Sequence, residues 1–463
     1  NGDYPYFFDN GTEYTREDDG FARRENNSVR RIRLLYGAFA TLGDIHFRAY
    51  ALGSKSRNGV PGPGSIVTRS AFYEYQRGSL MLKATKSALV WRASGGAWVE
   101  GLWDHYADTL GELGIGVSDD TSRIFTRGAM ASFQYGLQRH RLTLTALGRF
   151  ETLRSDRFMA PQTQDENREQ LHFGTRYRFV AKQLFVQTSA MALCLSGMDC
   201  YQALRGGIRY APWRGLKLRT NISSAVRVPT FMEMYGNTGA LKGNPALKPE
   251  KSISADLGYT AKGKMGSFRG SLSQTLFFRS ADNLIQYIPN SQFIARAENI
   301  AEARIMGAEN AVTLIHPRGR MKVAYTYMTT ENISELSYQN GQELPGRSRH
   351  AIVTDLSTRF SYGGWGFTPS WEFTGLIGGN FDASGRRPMP PRLFHSLALF
   401  ITTPYKGVSF HLAYRNIGSP LYEMVERRPQ PATGPAEYPQ AVSNYLGYPI
   451  PGSTWFFTIS SSL

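Results

Sequence analysis

Along most of the chain every second residue is apolar. In 141–154, Leu142, Leu144, Ala146, Gly148 and Phe150 share one side, while Arg141, Thr143, Thr145, Arg149 and Glu151 take the other. In 170–181, Leu171, Phe173, Tyr177 and Phe179 oppose His172, Gly174, Arg176 and Arg178; in 365–377, Trp365, Phe367, Trp371 and Phe373 oppose Thr368, Ser370, Glu372 and Thr374. A period of two is that of a β-strand. Strands are expected near 30–40 and 45–54, joined by Thr41-Leu-Gly-Asp44. Beyond Pro61–Gly64 they are expected near 66–77 and 80–93 on a tight turn, and then, after a long loop over 94–120, near 121–136 and 141–154. Short turns are expected again near 181–182, 212–215, 262–266, 316–320, 361–364 and 404–407. Long loops are expected near 155–169, 225–249, 280–301, 331–346, 378–391 and 418–452. The pattern amounts to about 19 strands, the last ending at Leu463.

Connections that alternate short and long put tight turns on one rim and long loops on the other, the arrangement of a transmembrane β-barrel. Composition supports this class over a soluble one. Aromatic residues reach 13% and hydrophobic residues 41%, yet mean hydropathy is −0.35. A barrel strand shows lipid only every second residue, so it can be aromatic-rich and polar on average. No run of about 18 apolar residues is present to form a transmembrane helix. A soluble sandwich rarely needs so many consecutive strands of this length. The apolar set must then face lipid, where a charge near the midplane costs about 2–4 kcal/mol. Arg31, Arg33, Arg149, Arg176, Arg178, Arg205, Arg209, Lys217 and Arg219 fall on the other side and make a basic lumen wall. The net charge of +16 does not mark a nucleic-acid binder, because Lys and Arg are spread along the strands and form no stripe. Polyanionic lipopolysaccharide is the expected partner of such a charge.

The stretch from Asn221 to Glu250, NISSAVRVPTFMEMYGNTGALKGNPALKPE, interrupts the alternation with prolines and glycines that forbid a regular helix. It resembles the loop signature of TonB-dependent outer-membrane receptors, R-x-P-T…Y…G-N-P-x-L-K-P-E-x-S. Arg227, Pro229, Thr230, Tyr235, Gly243, Asn244, Pro245, Leu247, Lys248, Pro249, Glu250 and Ser252 match it in position. Asn299–Glu309, Asn416–Tyr422 and Tyr448–Gly452 resemble further elements of the family. Ser419 and Ser453 depart from its pattern, as does Leu463 where the family usually ends in Phe. Asn1–Arg24 resembles its second extracellular loop. The resemblance implies an all-β, antiparallel barrel of the 22-stranded type, with residues 1–29 as an extracellular loop remnant and 30–463 as barrel. About three strands, an N-terminal plug and a TonB-contacting segment are then expected upstream of Asn1. It further implies a monomer in the outer membrane of a Gram-negative bacterium, working with TonB, ExbB and ExbD on a small metal chelate or a corrinoid. The basic wall could draw in an anionic solute, but pairing with acids on the plug is the more usual outcome for such charges.

Candidate chemistry is sparse. Cys194 and Cys200 are the only cysteines, at the ends of a short loop, and in an oxidising compartment read as a disulfide worth about 2–3 kcal/mol. Histidines form no H-E-x-x-H cluster and there is no G-x-S-x-G elbow, so no enzyme is expected. Asp104-His105-Tyr106-Ala107-Asp108 is placed in an aromatic loop with Trp98 and Trp103 as a potential metal or substrate contact. Asp9, Glu17, Asp18 and Asp19 are candidates for a structural calcium ion, the only cofactor entertained, although their spacing fits no fixed ion-binding loop and a solvated acidic loop is the more usual outcome. Substrate contacts are expected from loop aromatics: Trp98, Trp103, Phe231, Tyr235, Tyr287 and Phe293. Two functional classes follow. One is energised uptake of a ferric siderophore or cobalamin, as the resemblance implies. The other is a passive barrel, either a porin-like channel or a surface adhesin and phage receptor.

Overall fold

The computed structural model describes residues 4–12, 15–113, 116–156, 165–196, 199–236, 241–289, 294–333, 337, 339–405, 407–426, 428, 436–444 and 446–461. Among the described residues nineteen antiparallel strands form one curled sheet. They begin with β1 (Val29–Leu42), β2 (Ile45–Gly59), β3 (Phe72–Ser87), β4 (Trp91–Asp108), β5 (Ser118–Leu137) and β6 (His140–Ser155). Next come β7 (Asp165–Val180), β8 (Leu184–Leu195), β9 (Cys200–Tyr210), β10 (Leu216–Arg227), β11 (Glu250–Met265) and β12 (Phe268–Pro289). The sheet continues through β13 (Ala295–His316), β14 (Gly319–Asn332), β15 (His350–Thr358, extended by Phe360–Tyr362) and β16 (Trp365–Ile377). It ends with β17 (Arg392–Thr402), β18 (Val408–Ile417) and β19 (Thr454–Ser461). Each strand pairs with its predecessor and successor in sequence, as short antiparallel connections require.

The strand order is that of a closed ring, with β19 next to β1. Every other neighbouring pair has a residue-by-residue register, whereas among the described residues none joins β19 to β1. At this junction of the closed ring all of β1 is exposed, and so is nearly all of β19.

Strand faces follow the alternation in the sequence. Leu142, Leu144 and Phe150 are exposed on the outer face together with Phe133, Phe173 and Leu204. The basic residues face the lumen in continuous rows: Arg176 opposes Thr143 and Ser189, which opposes Arg205, while Arg209 opposes Arg219. A wall one side chain thick has no central core. Burial is concentrated in the long-loop rim instead, where Ile300, Ala303 and Leu344 form one cluster and Phe381, Val425 and Tyr438 another. Two small hairpins, Pro5–Phe8 with Gly20–Arg23 and Tyr422–Glu426 with Glu437–Ala441, lie outside the ring and touch through Phe7 and Tyr422, 5.5 Å between ring centres.

Three boundaries differ from the sequence expectation. No turn divides 66–77 from 80–93: Gly78 and Ser79 lie inside β3, and the turn falls at 88–90. Residues 94–120 are mostly strand, since β4 runs to Asp108 and β5 starts at Ser118. Residues 280–289 and 295–301 are likewise the extended ends of β12 and β13. In each case glycine or polar residues read as turn signals occur within a strand. A hairpin held by its ladder outside the lipid needs no apolar alternation to remain extended.

Candidate functional site

Above the lumen the loop from Arg227 to Glu250 is built around one guanidinium. Arg227 Nε and Nη2 donate to the two Glu250 carboxylate oxygens at 2.7 and 2.8 Å, while Nη1 donates to both oxygens of Glu233 at 3.0 and 2.9 Å. Glu250 in turn accepts from the Ile285 backbone N–H at 2.7 Å. Glu233 lies on a one-turn helix, α1 (Phe231–Tyr235), whose N-cap is Thr230; the two close a reciprocal capping box. Burial pushes the Glu233 carboxyl up, but the Arg227 guanidinium and the Thr230 N–H outweigh it and hold the group below its ordinary value. Hydrogen bonds to Glu250, then to Glu233, hold Arg227 firmly protonated.

The other matched residues are also structural. Pro229 is fully buried, and its carbonyl accepts from Arg168 Nη1 at 2.7 Å. Gly243 packs so close that a Cβ would sit 2.6 Å from the backbone of Met234 and Tyr235. Asn244 accepts from the Ala246 N–H at 3.1 Å and donates to Glu298 at 3.2 Å. Asn299 accepts from the Lys248 N–H at 2.8 Å and donates to the Lys248 carbonyl at 3.1 Å, which joins two separately matched motifs. Pro245 sits in a turn closed by the Leu247 N–H donating to the Asn244 carbonyl at 3.2 Å, and Leu247 beyond it is buried.

Below this loop a luminal patch crosses β4 to β7. Trp98, Gly128, Arg149 and Gln170 lie side by side in one inward row. The indole of Trp98 lies flat across Gly128, where a Cβ would come within 2.2 Å of the ring. Next to it Glu151 is buried and accepts from Arg149 at 2.6 Å, Arg168 at 2.8 Å and Gln170 at 2.8 Å. Arg149 keeps 42% of its side chain exposed, and its Nε has no acceptor among the described residues. Arg168 continues upward, its guanidinium 4.3 Å from the centre of the Phe231 ring. The patch therefore offers a flat aromatic face beside a cation held on its protein side by a buried carboxylate. That combination suits an anionic, aromatic-bearing ligand.

The expected contact residues separate. Trp98 is in this patch, but on strand β4 and not in a loop. Trp103, five residues on, points to the outer face, since side chains alternate. Phe231 is buried under Arg168 and packs on Tyr235 at 6.2 Å; burial pushes the Tyr235 phenol up. Tyr287 stands opposite Ala297 near the end of β12, and Phe293 lies outside the described residues. Asp104 accepts from Ser122 at 2.6 Å and Asp108 caps a turn through the Glu112 and Leu113 N–H groups, so both carboxylates serve the hairpin and not a ligand. Asp18 accepts from Thr12 at 2.7 Å and Asp9 from the Gly11 N–H at 3.2 Å; neither these nor Asp19 form part of a metal-holding group of three His, Cys, Asp or Glu, and none is found among the described residues. Cys194 and Cys200 are bonded, directly opposite in the β8–β9 register with Cα atoms 4.0 Å apart. Glu233, Glu151 and Gly128 did not stand out in the sequence. Thr230-x-x-Glu233 carried a capping-box signal for the first; nothing local marked the others.

The profile of the family described as "TonB dependent receptor-like, beta-barrel" matches residues 1–392. No curated protein sequence matches the chain. Among solved structures, the ferric preacinetobactin receptor BauA of Acinetobacter baumannii shares the fold at TM-score 0.66 and 12% identity, over 96% of this chain and 74% of its own. The copper transporter OprC aligns at TM-score 0.69 and 14% identity, over 97% and 74%. A mutant of the ferric enterobactin receptor PfeA of Pseudomonas aeruginosa aligns at TM-score 0.69 and 14% identity, over 94% and 70%.

Proposed function

The chain belongs to the TonB-dependent receptor family, whose barrels are outer-membrane transporters and not enzymes, and from that premise we propose that it takes up an anionic metal chelate of the ferric siderophore class with energy delivered through TonB. The observation that carries the reading is the luminal patch, where Trp98 lies flat across Gly128 beside the half-exposed Arg149. An iron chelate with carboxylate, catecholate or hydroxamate arms is anionic and flat in places, so a cation flanked by an indole matches it. Structural relatives described as receptors or transporters for ferric chelates and for copper support the same class. The half-exposed cation of Arg149 in the patch favours an anionic chelate over a corrinoid.

In this reading about three further strands of the same protein complete a 22-stranded barrel of the family type. The luminal arginines then face an acidic plug. The barrel lies in the outer membrane of a Gram-negative bacterium, and TonB, ExbB and ExbD supply the energy.

Titrating the purified protein with a ferric catecholate and a ferric hydroxamate, following tryptophan quenching, tests the patch. Arg149→Ala leaves Glu151 bonded to Arg168 and Gln170, so the wall persists. Trp98→Ala and Arg149→Ala are each expected to weaken binding about tenfold, equivalent to about 1.4 kcal/mol. Unchanged affinity in both variants would place the ligand elsewhere.

A further inference from the structure

On the outer face of the barrel, Gly53, Gly78 and Gly101 stand side by side on β2, β3 and β4. The row is bounded by Leu34 on β1 and Phe125 on β5. Nothing in this chain requires glycine at these positions. None of the three has the positive φ that would exclude other residues, and a Cβ built on any of them meets no atom within 4 Å. Glycine weakens a strand, through backbone entropy and the missing side chain. Three in register therefore make room for something outside the fold. The result is an apolar groove of about 680 Å³, with Leu34 and Phe125 as its side walls.

The level of this groove follows from the strands. Tyr135 and Trp91 pair near the short-turn rim, and Phe125 lies ten residues above Tyr135 along β5. At roughly 3.3 Å per residue and a tilt near 40° that is about 25 Å, the height of a barrel's apolar band. The glycine row thus marks the upper edge of the band, beneath the long-loop rim. One pair higher on the same face stand Lys55, Trp103 and Arg123. One pair lower Arg127 folds its guanidinium over Phe150, 5.6 Å from the ring centre. On the same face Glu74 is already bridged to Lys55 at 2.9 Å and Arg57 at 4.0 Å, and Asp156, one pair above Arg123, accepts from the Thr121 hydroxyl at 2.9 Å. Arg123 and Arg127 are both exposed. An apolar groove edged by cations and an indole, at the water interface of the band, matches an acyl chain below and an anionic headgroup above.

We propose that the Gly53–Gly78–Gly101 groove is a specific site for one phosphorylated acyl lipid of the outer leaflet. One chain lies across the glycines, with the phosphate at Arg123 above them. The site is on the outer wall, away from the luminal patch, and its test is independent of what is transported.

Native mass spectrometry of the detergent-extracted protein offered lipid A, a phosphorylated and acylated glucosamine disaccharide, in phosphatidylcholine micelles reads the site directly. A one-to-one lipid A adduct is expected, with phosphatidylcholine bound at least tenfold less. Gly78→Leu, which fills the floor, and Arg123→Glu, which reverses the head contact, are each expected to reduce the adduct at least tenfold. Gly263→Leu, at another strand glycine whose Cβ would meet nothing, should leave it intact. Heat-modifiable gel mobility reports folding for each variant; if Gly78→Leu does not fold, Gly101→Val replaces it. Adducts of both lipids in equal amount, or an adduct indifferent to both groove variants, would overturn the proposal. So would a doubled mass abolished by Gly78→Leu, which would assign the groove to a second copy of the chain.

Discussion

Arg227 is half-exposed, yet both carboxylates it holds are largely shielded, Glu250 at 7% side-chain exposure and Glu233 at 15%. Removing a guanidinium from such a site leaves carboxylates without their partner, which costs more than the ion pair itself contributes. Arg227→Met is therefore expected to lower the local opening free energy of residues 228–249 by about 2 kcal/mol, discounted for solvent screening. Hydrogen exchange should show faster amides there, with the barrel strands unchanged. Acid should reproduce the effect. The Glu233 carboxyl is held below its ordinary value, so its contribution is present above the unfolded glutamate value and lost as pH falls through the lower folded one. Exchange at 228–249 that is flat with pH from neutral down through the acid range would contradict this arrangement. The motif residues were legible in the sequence because their spacing is fixed; Glu151 and Gly128 were not, because their roles appear only when β4 to β7 are laid side by side.

At the scale of the element, strand faces were readable wherever a period of two survived, as in 141–154, and turns were readable where glycine followed the last apolar residue. Glycine also misled. By sequence alone Gly78 signals a turn and Gly95, Gly96 and Gly101 a loop, whereas all four lie inside strands and three of them, Gly78, Gly95 and Gly101, face outward in the register. A strand needs only its ladder, so a glycine within it signals missing volume and not a change of direction. That error put Trp98 and Trp103 together in one loop, although an odd separation on a strand sends them to opposite faces. The β8–β9 hairpin gives a further test. Its disulfide joins residues opposite in register, so thiol labelling of the unreduced, denatured protein should be nil. Reduction should destabilise the hairpin by about 2 kcal/mol on the chain-entropy account. Two reactive thiols per chain would contradict it.

The whole molecule is a wall of nineteen strands around a lumen too wide for its own side chains to fill. The ring closes where β19 meets β1, and its inner surface carries arginines at many levels. A barrel of this kind either conducts passively or is stoppered and worked by an energy source. The central claim is the second. The most direct measurement is accumulation of a radioactive ferric chelate by cells carrying the protein, with and without TonB, and before and after an uncoupler. The account predicts uptake that saturates with chelate and falls to background when either TonB or the proton gradient is removed. Uptake that continues without both, rising linearly with chelate concentration, would contradict it and make the protein a passive channel.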